Sequence, residues 1–356
     1  MTELLVGTKK GLFVLEGEPG ETFEVTARAF AGEPVEHALR DPHTNRLVAS
    51  VTSAWHGPKI YTTDDAAGEW EQATGIALPE GGDKALERIW VIAPGEGDDG
   101  PLYAGGDPGV LFESRDGGAS WQLNEALWEE QARSRWQPGG GGLCLHSIVP
   151  WPGEPDRLTI AVSAAGVWHT ADGGRSWERG NKGLRAGYMP EEASEETNDL
   201  CVHHIERAPA RPERIFMQFH GGVYRSDDAG ASWIDIAEGL PSDFGFPLAV
   251  DPADPDSAYV IPLNADVDRV TPEGRVRVYE TRDAGATWTA RGDGLPQRNA
   301  YLTVLRQAFD SASEGPALQL YFGATSGDVF GSGDAGATWS SVASSLPPVS
   351  GVTANA

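Results

Sequence analysis

The sequence predicts an all-β fold, a seven-bladed β-propeller of four-stranded antiparallel blades, its ring closed by the C-terminal strand pairing with the N-terminal blade. Three observations predict it. An octet, Ser114-Arg115-Asp116-Gly117-Gly118-Ala119-Ser120-Trp121, returns at Thr170–Trp177, Ser226–Trp233, Thr281–Trp288 and Ser332–Trp339. Worn copies stand at Thr63–Trp70, with Ala67 for the glycine, and at Glu16–Phe23, with Glu18 for the aspartate. The closing aromatics, Phe23, Trp70, Trp121, Trp177, Trp233, Trp288 and Trp339, are 47, 51, 56, 56, 55 and 51 residues apart. Seven units at a near-constant period mean a repeat architecture.

The octet is turn chemistry. Its aspartate side chain accepts hydrogen bonds from backbone N–H groups just ahead. Its glycine takes the positive φ of a tight hairpin, and its tryptophan anchors the turn on the sheet. These aspartates therefore read as structural.

Each unit opens with a short apolar strand, followed by a second, a glycine-bearing turn, and a third that runs into the octet. In the third unit these are Ile89–Ile92, Leu102–Ala104, the turn Gly105–Gly109 and Val110–Glu113, with Trp121–Leu123 starting the fourth strand. The fifth unit repeats this with Leu200–Ile205, Ile215–Phe219 and Val223–Arg225. Four antiparallel strands per unit, with little helical periodicity between, make a propeller blade. The first unit lacks its opening strand, and the tail after Leu346-Pro347-Pro348 supplies one. The expected blades are 348–356 plus 3–27, then 34–74, 86–124, 143–181, 198–237, 244–291 and 299–343, in one domain over 1–356. The octets fall on one rim. The turns between second and third strands and the links between blades fall on the other. Two links, Gln122–Gly142 and Glu178–Thr197, are long enough to suggest function, and Asn264–Gly274 is a further insertion on that rim.

With 53 acidic against 27 basic residues, the net charge is −26. That excludes nucleic acid and anionic membranes as expected partners, since phosphate binding needs a basic surface. No apolar run spans a bilayer, and Leu4-Leu5-Val6 ahead of Lys9-Lys10 does not read as a signal peptide. Cys144 and Cys201 are too few for a disulfide framework. A soluble, cytoplasmic protein is expected.

The octets resemble Asp boxes, also called BNR repeats, over essentially the whole chain. The resemblance implies the propeller of the sialidase-like superfamily. That group holds sialidases, other glycoside hydrolases, sortilin-type receptors, the photosystem II assembly factor and many bacterial sialidase-like or glycosyl-hydrolase-like proteins. The chain is most similar to those last. It lacks the early Phe/Tyr-Arg-Ile-Pro motif of sialidases. Arg40, Arg88, Arg207 and Arg306 lie on innermost strands without forming an assignable triad, and Tyr301 has no evident glutamate partner.

Two innermost strands match residue for residue: Leu143-Cys144-Leu145-His146-Ser147-Ile148 and Leu200-Cys201-Val202-His203-His204-Ile205. Residues two apart share a strand face, so Cys144 joins His146 and Cys201 joins His203. His220, His37 and His56 are expected at the same channel mouth. Three readings stand. The first is a divalent metal held by His146, His203 and His220. The second is a metal-free catalytic pocket using His146, His203 and His220, with Arg185, Tyr188, Arg133 or Arg135 on an anionic substrate. The third is a set of packed structural residues. Asp107, Glu195, Glu196, Asp199, Asp243 and Asp266 are the carboxylates available on that rim for glycoside hydrolysis, which needs two flanking the bond.

The function expected is therefore action on, or binding of, a small molecule or glycan in a His-rich pocket near the fourth and fifth blades, without typical sialidase chemistry. If the chain is an enzyme, it is read as a hydrolase or lyase. The alternative is a non-catalytic scaffold that binds a protein partner over one rim, with Trp128, Trp136 and Trp151 as anchors.

Overall fold

The computed structural model describes residues 1–81, 84–97, 99–187, 189, 200–265, 267–314 and 317–356. The protein is all-β, built of four-stranded antiparallel sheets in the manner of a propeller. Strands β1 (Thr2–Thr8), β2 (Gly11–Gly17) and β3 (Glu24–Ala29) pair in sequence order. A four-stranded sheet follows from β4 (Val35–Arg40), β5 (Leu47–Ser53), β6 (Gly57–Thr63) and β7 (Glu71–Gln72). The next is β8 (Arg88–Pro94), β9 (Leu102–Asp107), β10 (Val110–Ser114) and β11 (Gln122–Leu123). After helix α1 (Glu125–Arg133) come β12 (Leu145–Trp151), β13 (Glu154–Val162), β14 (Gly166–Thr170) and β15 (Glu178–Arg179). Then follow β16 (Val202–Arg207), β17 (Ile215–Phe219), β18 (Gly222–Ser226) and β19 (Ile234–Asp235). The sheet after that holds β20 (Gly245–Val250), β21 (Ala258–Pro262), β22 (Val278–Thr281) and β23 (Thr289–Arg291). Finally β24 (Val304–Glu314), β25 (Ala317–Ala324), β26 (Val329–Ser332) and β27 (Ser340–Ala343) precede β28 (Val349–Asn355).

β28 lies beside β1, antiparallel, with Val6 opposite Val352. It takes the place that an opening strand takes in the other sheets. One parallel bridge, Gln307 to Gly351, joins it to β24. The opening strands β4, β8, β12, β16, β20, β24 and β28 touch in that order, and β28 touches β4.

The octets form the expected turns between third and fourth strands. In the third unit Gly118 N and Asp116 N point to Ser114 Oγ, and Ser120 N and Oγ donate to the two Asp116 oxygens at 2.8 and 2.5 Å. The other four full copies repeat the pattern. Two consecutive residues take positive φ, Gly117 at 68° and Gly118 at 88°. Ala229, Ala284 and Ala335 hold the first of these positions in their own octets. The tryptophans fill the seams between sheets. Trp233 packs with Val149, Ala161 and Val167 of the preceding sheet and donates from its indole to Gly180 O at 2.8 Å. Burying such a ring stabilises by about 2–3 kcal/mol.

Two features depart from the sequence reading. The link over 122–142 contains α1, capped by Asn124, whose side chain accepts from Leu127 N. Leu127 and Gln131, one turn apart, bury its inner face. The opening strands also carry a bulge near their starts. The register slips across Val35/His37, Ile89/Val91, Leu145/Ser147, Val202/His204, Gly245/Leu248 and Val304/Phe309. Glu36, Trp90, His146, His203, Phe246 and Arg306 lie within these slips. A bulge re-aims the side chain it carries and changes the strand's alternation beyond it.

Candidate functional site

Three bulge residues, His203, Phe246 and Arg306, line one cavity of ≈ 410 Å³. The glycine run 139–142 that ends the first long link, Ser163, Met189, Cys201, His220 and Arg269 complete much of its wall. Arg269 comes from the 264–274 insertion. His220 is set by backbone pairing: its N–H donates to Cys201 O at 3.0 Å, just beyond the Val202–Phe219 rung.

His203 is 2% exposed. Its ring lies 4.8 Å from Phe246, 5.3 Å from Phe244 and 5.4 Å from His220, centroid to centroid. Nδ1 donates to Gly245 O at 2.6 Å, so Nε2 keeps its lone pair. The guanidinium of Arg306 stands 4.9 Å from the Phe246 ring centre and that of Arg269 5.6 Å. Arg306 Nη2 also donates to Ser163 Oγ at 3.4 Å. Burial, with Arg306 beside it, holds His203 well below the ordinary imidazole range, so the ring is neutral near pH 7. Burial raises the Cys201 thiol, while Arg306 pulls it the other way. One donor atom each of Cys201, His203 and His220 lie within 4.8 Å of one another. Among the described lining residues there is no carboxylate.

His146 does not join this group. It is fully buried and lines a second cavity of ≈ 350 Å³ with His37, His204, Glu206 and Asp310. Its Nε2 donates to Val202 O at 2.9 Å and its Nδ1 meets Ser147 Oγ at 3.0 Å. With both nitrogens engaged, it has no lone pair for the metal expected on His146, His203 and His220. β12 and β16 carry the same bulge, at Leu145/Ser147 and Val202/His204, so the difference between the two histidines lies in their neighbours and not in the register. Cys144 donates to Gly141 O at 3.2 Å and lies 3.6 Å from Asp107. His37 belongs to the second cavity, and His56 is exposed on its turn.

Arg185 is exposed and lies beside Tyr224, outside the cavity lining. Arg133 ends α1 and pairs with Glu130 at 3.1 Å, and Arg135 is exposed. Tyr188, Glu195, Glu196, Asp199 and Asp266 lie outside the described residues. Arg40 is paired with Glu3 at 2.6 Å, and Arg207 is stacked 4.8 Å from Trp151, so neither joins Arg306. Asp107 is shifted upward by burial. Of the tryptophans expected as partner anchors, Trp136 is buried and Trp128 and Trp151 are half-buried. Trp136 is 3% exposed, Trp128 packs on the core, and Trp151 is covered by Arg157 at 3.5 Å. Phe246, Arg269 and Met189 were not singled out from sequence; a bulge carries the first, the 264–274 insertion the second and the second long link the third.

No protein-family model matches the chain. It is 30% identical over 297 residues to a xyloglucanase of Paenibacillus sp, covering 76% of this chain and 27% of the relative. It is 29% identical over 126 residues to a probable oligoxyloglucan-reducing end-specific xyloglucanase of Neosartorya fischeri, covering 35% and 14%. The chain therefore spans about a quarter or less of these curated relatives. Among solved structures it resembles an ancestral GH74 enzyme (TM-score 0.56, 18% identity, 83% of this chain and 36% of that one). It also resembles the GH74 enzyme of Niastella koreensis (0.54, 14%, 97% and 67%) and YCF48 from Cyanidioschyzon merolae (0.56, 11%, 87% and 84%). At these identities the likeness is one of fold, and that fold is the β-propeller.

Proposed function

We propose that this chain is a glycosyl-hydrolase-like propeller, a single closed ring of seven blades, that binds a small acidic glycan in the cavity around Phe246. The observation that carries the reading is the pair of guanidiniums, Arg306 and Arg269, set 4.9 and 5.6 Å from one aromatic ring. They face a cavity without a carboxylate among its described lining residues, in a chain of net charge −26. A locally cationic pocket on so acidic a protein favours an anionic group, and paired guanidiniums fit a carboxylate. The cavity, at ≈ 410 Å³, falls in the range of about 300–1,000 Å³ that small ligands occupy.

The seven-blade reading is supported by the strand order and by the unbroken sequence of opening-strand contacts back to β4. The blades proposed are those set out from the octet spacing. Among the described lining residues of the cavity, two arginines without a third and the lack of a tyrosine–glutamate pair argue against typical sialidase chemistry. Paired-carboxylate hydrolysis has no basis among the described lining residues, so any proton transfer there falls to His203 or His220.

Calorimetric titration with galacturonate and with neutral xylo-oligosaccharides tests the reading. The acidic sugar is expected to bind, more weakly as salt rises and at least tenfold more weakly in Arg306→Ala. Equal affinity for the neutral sugars, or an unchanged Arg306→Ala protein, overturns it.

A further inference from the structure

We infer that Cys201, His203 and His220 form a binding site for a thiophilic metal ion, copper(I) in preference to zinc(II). The inference does not rest on the acidic-glycan reading, since it uses different atoms of the cavity. The three donor atoms lie within 4.8 Å of one another. Bonds of about 2.0–2.1 Å to imidazole and about 2.3 Å to thiolate set ligand atoms roughly 3.3–3.6 Å apart around a tetrahedral ion. Closing the present span by about 1 Å is a side-chain movement, not a backbone one.

The surroundings have the features of a ligand shell. His203 donates Nδ1–H to Gly245 O at 2.6 Å, the second-sphere bond that orients a ligating imidazole and leaves Nε2 as donor. Cys201 and His220 are fixed to each other through the backbone, His220 N to Cys201 O at 3.0 Å. Phe244 packs edge-on against both imidazoles, with centroids 5.3 Å away in each case. Such an apolar wall keeps water from competing for the ion.

The donor set selects the metal. One thiolate and two imidazoles suit copper or zinc, and the described lining residues include no carboxylate of the kind that magnesium or calcium takes. Met189 lines the same cavity, and a His₂Cys set with a nearby Met is a copper pattern. Charge decides between the two ions. Copper(I) with one thiolate and two neutral imidazoles adds no net charge beside Arg306 and Arg269, whereas zinc(II) adds one positive charge.

The full chain, reduced and stripped of metal, is titrated anaerobically with copper(I) against a chromophoric chelator, and separately with zinc(II), without sugar present. One copper(I) per chain is expected, held at least 100-fold more weakly in Cys201→Ser and in His220→Ala. Cys144→Ser is expected to bind as the parent does, which guards against a general effect of thiol loss. Circular dichroism confirms that each variant is folded. Parent uptake no greater than that of Cys201→Ser overturns the site, as does loss in Cys144→Ser alone. Zinc(II) that copper(I) fails to displace overturns the metal preference. Galacturonate binding by the stripped protein is scored separately, so either reading can fail alone.

Discussion

His203, at the bulge of β16, and His220, at the turn after β17, meet edge to face with ring centroids 5.4 Å apart. His146, at the matching bulge of β12, lines a different cavity, where it contacts Val202 O. A carbonyl oxygen only accepts, so these contacts dictate opposite tautomers. His203 should carry its proton on Nδ1, facing Gly245 O, and His146 on Nε2. Long-range ¹H–¹⁵N correlation spectra distinguish the two forms. A common tautomer at both positions would contradict the arrangement.

The octets were legible because their chemistry is local. A hydroxyl, an aspartate, a glycine and a tryptophan at fixed offsets close the turn with groups no more than eight residues apart. The opening strands were less so. Strict alternation pairs Cys144 with His146 as readily as Cys201 with His203, and only the second pairing occurs. Both strands slip at the matching place, so the difference comes from non-local neighbours: His146 meets Val202 O of the next sheet, whereas His203 meets Phe246 and His220. Phe246 and Arg306 meet His203 through neighbouring strands far apart in sequence, a relation that periodicity does not encode. Helix α1 was readable in principle: Asn124 followed by Glu125 is a start signal, with Leu127 and Gln131 on one face.

The octet geometry predicts two opposite stability effects. Asp228 accepts from Ser226 Oγ at 2.8 Å, Ser232 N at 2.8 Å and Ser232 Oγ at 2.6 Å. Asp228→Ala should cost about 1–2 kcal/mol, since the turn's donors are partly rehydrated. Ala335 holds φ at 56°, where the third and fourth units have glycine. Ala335→Gly should relieve about 0.5–1 kcal/mol of left-handed strain, less the entropy glycine loses on folding. Urea midpoints measure both, and neither change should alter ligand binding at the other rim.

Buried histidines set the acid side of the stability profile. Burial lowers His37 to about 4, and lowers His146 and His203 well below the usual value of 6.5. The unfolded chain therefore binds protons first, so stability present above pH 6.5 is lost as pH falls. Each histidine contributes a slope of up to about 1.4 kcal/mol per pH unit. Asp310 acts in reverse. Burial raises it to about 6, with Glu206 adding to the shift, so its contribution is full below pH 3.8 and lost as pH rises through 6. Asp310→Asn should stabilise at pH 8, by at most about 3 kcal/mol, and the gain should fall to roughly half by pH 5 and vanish only below pH 3.8. Urea unfolding at both values checks this, and a difference independent of pH removes Asp310 from the account.

The last strand bears on the proposed ring. β28 is hydrogen-bonded to β1 from Glu3–Asn355 to Thr8–Val349, and Val349 and Val352 are 1% and 3% exposed within the largest core cluster. Ala354 N also donates to Asp310 Oδ2 at 2.9 Å, tying the tail to β24. Removing residues 349–356 would bare the edge of β1, and exposed edges pair with other chains. It would also expose two buried valines and leave Asp310 short of a donor. A single buried Val→Ala change typically costs less than the 2–5 kcal/mol of larger truncations, so deletion of the strand should exceed any point change described above. The expected outcome is a chain that melts at least 10 °C lower and self-associates on sizing columns. The peptide 349–356 supplied in trans should recover part of the loss. A truncated chain with the parent's melting temperature and monomeric elution would show that the ring does not depend on this latch, and the seven-blade reading would go with it.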